Sequence, residues 1–185
     1  MKKFERLGYL LKIIGKAAAI ILLAMFQTSF IAALPWPFNY FNFVLSVLIF
    51  ITAILNFRQA LWFAFFSGLI LDTFSFSGFG TIAAILILVA IIINFLFRNF
   101  FTNRSLYSLV ILGLIGNGIY ILSLLIFNFL FFIFGVTDNL EKFFSRENIF
   151  GLGWQIVFGV LFLAILFLLF NFLSKKLKSV FLDAG

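Results

Sequence analysis

From residue 78 to residue 97 the chain reads Gly78-Phe79-Gly80-Thr81-Ile82-Ala83-Ala84-Ile85-Leu86-Ile87-Leu88-Val89-Ala90-Ile91-Ile92-Ile93-Asn94-Phe95-Leu96-Phe97, with no charged side chain until Arg98. One helix of this length and composition crosses the apolar core of a bilayer, which is about 30 Å thick. Similar apolar stretches cover about Ala17 to Leu34, Phe38 to Phe57, Ala60 to Phe74, Leu106 to Phe134 and Ile149 to Leu173. The expectation is an all-α fold, a polytopic membrane bundle of six transmembrane helices.

Composition supports this reading. Apolar residues make up 65% of the 185-residue chain and charged residues 10%. A soluble surface needs roughly a quarter charged residues or more. In water so many apolar runs would leave large exposed patches. There is no internal repeat and no Gly/Ser-rich or Pro-rich linker, so one membrane domain is expected over 17–173. An amphipathic N-terminal helix (1–16) precedes it and a basic tail (174–185) follows.

In the first segment Phe4, Leu7, Leu11 and Ile14 share one helical face, while Glu5, Lys12 and Lys16 share another. Such a helix can lie on an anionic leaflet, or simply orient the first span. The apolar run after Lys16 exceeds the roughly 7–15 residues of a signal-peptide core, so retention is expected. Pro35-Trp36-Pro37 then breaks the helix. The third span is short and brings Asp72 to the interface at its end. The fifth is long, so it either tilts or passes near Asn128 into an interfacial segment.

Charge sets the orientation. With the N terminus inside, all but Lys142 and Arg146 of the 13 Lys and Arg residues fall on the inner side. This is the positive-inside pattern, with both termini cytoplasmic. It accounts for the net charge of +7 without nucleic acid. Cysteine and histidine are absent, which removes disulfides, thiol nucleophiles and imidazole metal ligands. No metal site, cofactor or catalytic set is expected.

Asp72 is the one acidic residue within or bordering an apolar span. A carboxylate there must be neutralised, hydrated or hydrogen-bonded. It shares a helix face with Gly68, where a glycine permits close approach of a neighbour. It can organise structure by accepting amide bonds from the Ser75–Gly80 turn, contact a partner or ligand, or take part in proton or ion chemistry. Gly78 and Gly80 shape that turn. Gly113, Asn117 and Tyr120 lie on one side of span five, near Gly116 and Gly118. Gly151, Gln155 and Gly159 recur at four-residue spacing on span six. Both sets read as small-residue packing seams with a polar clamp, or as the lining of a pocket, with Asn117 bonding across to another helix. The 32 phenylalanines face lipid or fill gaps between helices.

The stretch Phe66-Ser67-Gly68-Leu69-Ile70-Leu71-Asp72-Thr73-Phe74-Ser75-Phe76-Ser77-Gly78-Phe79-Gly80 resembles the bacterial rod shape-determining protein MreD family. Gly68, Asp72 and Gly80 match the family pattern, as do chain length, the short third span and the prolyl break. The Pro37-Phe38-Asn39 stretch matches only loosely. The resemblance implies a non-enzymatic inner-membrane scaffold that helps organise lateral peptidoglycan synthesis. Its implied partners are membrane lipids, an MreC-like bitopic protein and, directly or through it, MreB, RodA and the RodA-associated transpeptidase. The family is also similar to the membrane subunits of energy-coupling-factor transporters, so a small-molecule (vitamin-type) transporter subunit is the alternative reading.

Overall fold

The computed structural model of the protein describes residues 2–54, 56–75, 78–101, 105–135 and 145–182, with backbone alone for 2–10, 12, 13 and 173–182. Six α-helices follow one another among the described residues: α1 (Lys2–Met25), α2 (Phe43–Ile54), α3 (Phe57–Phe74), α4 (Thr81–Phe100), α5 (Leu106–Ile133) and α6 (Arg146–Leu182). A π-helical turn at Phe26–Ile31 prolongs α1, and a 3-10 turn at Phe38–Tyr40 precedes α2. Most of the expected Asp138–Asn148 loop lies outside the described residues, as do Arg104, Phe76 and Ser77.

The shortest helix stands at the centre. α2 packs against α3, α4, α5 and α6, and its Val44, Leu45, Leu48 and Ile49 are fully shielded. From α4, Ile85, Leu86, Val89, Ala90 and Ile93 join the same core at three- and four-residue spacing. Leu112 of α5 and Leu163 of α6 close it. The opposite faces are equally apolar: Leu88, Ile91 and Phe95 on α4, Leu122, Ile126 and Phe129 on α5, and Leu161, Ile165 and Leu168 on α6 are exposed. A bundle apolar on both its inner and outer faces is made for lipid.

The helices differ from the six expected spans in a physically informative way. Among the described residues, Ile14–Ile31, Thr81–Phe100, Leu106–Ile133 and Arg146–Phe172 are the four stretches long and apolar enough to cross a membrane. The expected second span, Phe38 to Phe57, contains only a 12-residue helix, about 18 Å long. Asn42 stops it from starting earlier, because its Oδ1 accepts from the Leu45 amide at 3.0 Å, an N-cap bond. α3 has 18 residues but carries Arg58, Gln59 and Asp72, which lower its apolarity. α5 is one unbroken helix of 28 residues, about 42 Å long. Asn128 does not end it: its Nδ2 donates to the Leu124 carbonyl within the helix at 2.9 Å. α1 runs through position 16 without a break, and α6 continues to Leu182.

Lipid tails are as apolar as leucine, so helices associate here through close packing rather than apolar burial. Gly116 marks one such contact. A Cβ there would lie 2.6 Å from Ile49 Cδ1 and 3.3 Å from Ile93 Cδ1. We therefore expect Gly116→Val to destabilise the bundle by about 1–3 kcal/mol through overpacking. Gly118→Val on the same helix faces open space and should cost well under half as much. Unfolding of the two variants in detergent micelles checks the difference.

Candidate functional site

The conspicuous polar feature is where α3 hands over to α4. Four amides at the start of a helix lack partners within it, and inside a membrane domain water cannot readily supply them. Three of them are met here by defined partners. Thr81 N–H donates to the Gly78 carbonyl at 3.1 Å, and the regular helical pattern begins with Ala84 N–H donating to the Gly80 carbonyl at 2.9 Å. The two amides between them are taken by Asp72: Ile82 N–H donates to Oδ1 at 2.8 Å and Ala83 N–H to Oδ2 at 3.1 Å. The carboxylate therefore sits on the positive end of the α4 dipole, with Asp72 only 4% exposed.

Gly68 makes this geometry possible. A Cβ on it would stand 2.9 Å from both the Cβ and the amide nitrogen of Ala83, and would overlap its Cα. One helical turn later on the same face, Asp72 reaches the Ala83 amide. The Gly68–Asp72 pair thus grips a single point on the first turn of α4. Gly80 provides the reversal, with φ +90° at the N-cap of α4, a conformation that glycine adopts without strain. Gly78 accepts a second bond from Thr81 Oγ1 at 2.6 Å and faces the Phe131 ring. Among the described residues, the amides that meet Asp72 are those of Ile82 and Ala83 in α4, just beyond the Ser75–Gly80 turn expected from the sequence, part of which lies outside the described residues.

Tyr120, buried on α5, lies near Asn42 and Asp72. Asn42 in turn caps α2. Sequence reasoning missed this residue and its neighbour Gln27. In the π-turn, Gln27 Nε2 donates to the Phe41 carbonyl at 3.0 Å and its Oε1 accepts from Phe43 N–H at 2.8 Å. One side chain so holds both edges of the non-helical stretch before α2. A lone amide in an apolar run was the available signal, the same one that marked Asn117.

The second polar group joins α5 to α6. Asn117, fully buried, donates from Nδ2 to the Gly113 carbonyl one turn back at 2.9 Å. Its Oδ1 faces Gln155 Nε2 at 3.5 Å, a long contact at the limit for a hydrogen bond. Gly159 leaves room for it: a Cβ there would be 2.9 Å from Asn117 Nδ2 and 3.4 Å from Ser46 Oγ on α2. Gly113 faces Leu163. The two expected seams are therefore brought together around one amide. Near the start of α6, Tyr40 donates to Asn148 Oδ1 at 2.7 Å and lays its ring over Gly151. Phe38 stacks on Phe158, which stacks on Trp154, and Phe41 and Phe43 meet Phe162 edge-on or tilted.

Every buried side-chain nitrogen and oxygen among the described residues has a hydrogen-bond partner. Asp72, Asn117 and Gln27 direct their bonds to backbone groups of the bundle. Such an arrangement fixes helices; it aims no free polar group at a substrate. The profile of the family described as rod shape-determining protein MreD matches residues 12–177. No curated protein and no solved structure matches the chain significantly, energy-coupling-factor subunits included. The match takes in α3, the turn and α4 together with nearly all the rest of the bundle, and the chain belongs to the MreD family, non-catalytic membrane proteins that act in the bacterial cell-elongation, or rod-shape, complex.

Proposed function

We propose that the protein crosses the cytoplasmic membrane six times, with both termini in the cytoplasm, and serves the elongation complex as a rigid helical scaffold. The observation that carries the scaffold reading is the use of the polar candidates. Asp72 ties α3 to α4, and Asn117 and Gln155 face each other between α5 and α6. A vitamin-binding transporter subunit would instead need several such groups turned to a common cavity.

The six-pass reading rests on where α2 lies. Twelve residues do not reach across a bilayer alone, but irregular backbone is tolerated at depth where protein surrounds it. Gln27, Asn42 and the contacts of Tyr40 and Phe41 with α6 supply that surrounding for residues 40–43. α3, about 27 Å long, then runs from Arg58 and Gln59 at one interface to Asp72 near the other. The excess of basic residues at the α2–α3 and α4–α5 turns and at both termini sets those regions inside.

On this surface an MreC-like bitopic protein would dock, with MreB, RodA and the RodA-associated transpeptidase joined directly or through it. Asp72 and its partners would act by fixing the helix faces offered to them.

Because the chain has no cysteine, single introduced cysteines report topology without background. Cysteines at Asn39 and Ser145 should react with an impermeant maleimide on intact cells, whereas cysteines at Arg58 and Arg98 should react only after permeabilisation. Labelling of positions 39 and 58 from the same side would refute the six-pass path. Asp72→Asn offers one acceptor oxygen for two amides, so one N–H is left unpaired at a cost of about 1–3 kcal/mol. The variant should still insert, yet show reduced in-cell crosslinking to elongation proteins and loss of rod shape. Unchanged crosslinking and shape would remove any specific role for Asp72.

A further inference from the structure

α1 is loosely seated. Only 11% of its Ile14–Ile31 stretch is buried, against 39% for α4 and α5. Two clefts flank it and share Ile20 as a wall. The larger, about 490 Å³, lies between α1 and α3 and is lined by Ala17, Ile21, Phe66, Leu69, Ile70 and others. The smaller, about 230 Å³, opens among α1, α2 and α3, with Ala19, Leu23, Ile51 and Phe63 as apolar walls.

The smaller cleft differs from the larger at its mouth, where Lys16 and Gln59 form the rim. Both residues stand where polar sequence gives way to apolar sequence, just before Ala17 on α1 and Ala60 on α3. That is headgroup level for helices entering a bilayer. Arg58, exposed, adjoins Gln59 in the first turn of α3. The positive end of the α3 dipole lies at the same level, while Asp72 is at the opposite end of that helix. A cationic rim above a narrow apolar slot, both at interfacial depth, matches one kind of molecule: a lipid with a negative headgroup and a hydrocarbon chain.

We propose that the cleft among α1, α2 and α3 is a binding site for an anionic glycerophospholipid, its phosphate met by Lys16, Gln59 and Arg58 and part of one acyl chain lodged against Ala19, Leu23, Ile51 and Phe63. The lipid completes the packing of α1, which the protein's own side chains leave open. Nothing in this depends on which end of the bundle is cytoplasmic or on a partner in cell elongation.

The test uses the full chain in nanodiscs made of equal parts phosphatidylglycerol and phosphatidylcholine in both leaflets, with retained lipid identified by native mass spectrometry. The wild type should keep phosphatidylglycerol in preference to phosphatidylcholine. Lys16→Ala and Arg58→Ala should each reduce that preference roughly fivefold, as expected for one basic group at a membrane surface. Ala19→Trp, which fills the slot and leaves the charge unchanged, should lower retention of phosphatidylglycerol. Arg98→Ala, which removes an exposed charge at the end of α4, should change nothing. Equal retention of the two lipids by the wild type would overturn the proposal, as would an equal loss with Arg98→Ala or undiminished retention with Ala19→Trp.

Discussion

The structure depends on a carboxylate meeting the bare end of a helix. The first turn of α4 is packed against α3, with Thr81 and Ala83 buried, and there its leading amides would be costly without acceptors. Asp72 takes two of them, and the charge of the carboxylate and the dipole of α4 compensate each other. This is how an ionised group becomes tolerable there: its counter-charge is the backbone. Gly68 belongs to the same device, since α3 must approach α4 closely enough for a short side chain to reach. With α3 and α4 locked, their inner faces present Phe63, Ala64, Leu86 and Val89 to α2 as one surface.

The same logic repeats at lower charge elsewhere. Asn42 caps α2, Gln27 holds the backbone on both sides of it, and Asn117 fills the space left by Gly159. Each polar side chain stands beside a glycine or an irregular turn, where regular helix geometry leaves groups unpaired or backbones exposed. In a medium that gives no reward for simply burying apolar surface, these points determine which helices touch.

Much of this was legible beforehand. The apolar lengths showed a helical membrane protein, and the face shared by Gly68 and Asp72 pointed to a close helix pair. The seams at Gly113–Asn117 and Gln155–Gly159 also came together, because small and amide residues at four-residue spacing have few uses inside a membrane. What escaped the sequence was the shortness of α2. Hydropathy averages over Phe38-Asn39-Tyr40-Phe41-Asn42 and sees only an apolar stretch, whereas the start of the helix is decided by a single side chain, Asn42, binding its own backbone. That Asp72 reaches Ile82 and Ala83 was not legible for a related reason: a carboxylate's reach depends on how closely α3 and α4 approach, which spacing along one helix does not reveal.

The brevity of α2 has a bearing on how the chain is made. A helix of about 18 Å is a poor candidate to leave the translocon sideways and dwell alone among lipids, for it would thin the bilayer or leave its flanking peptide groups without partners. It needs companions already in place, and the order of synthesis delivers one: α1 and its π-turn precede α2, and the turn carries Gln27, the residue that clasps the backbone just ahead of α2. On the proposed six-pass path the first two segments would enter as a hairpin. The aromatic surface of α6, which follows α2 in the chain, then closes over a path that stays provisional until α6 arrives.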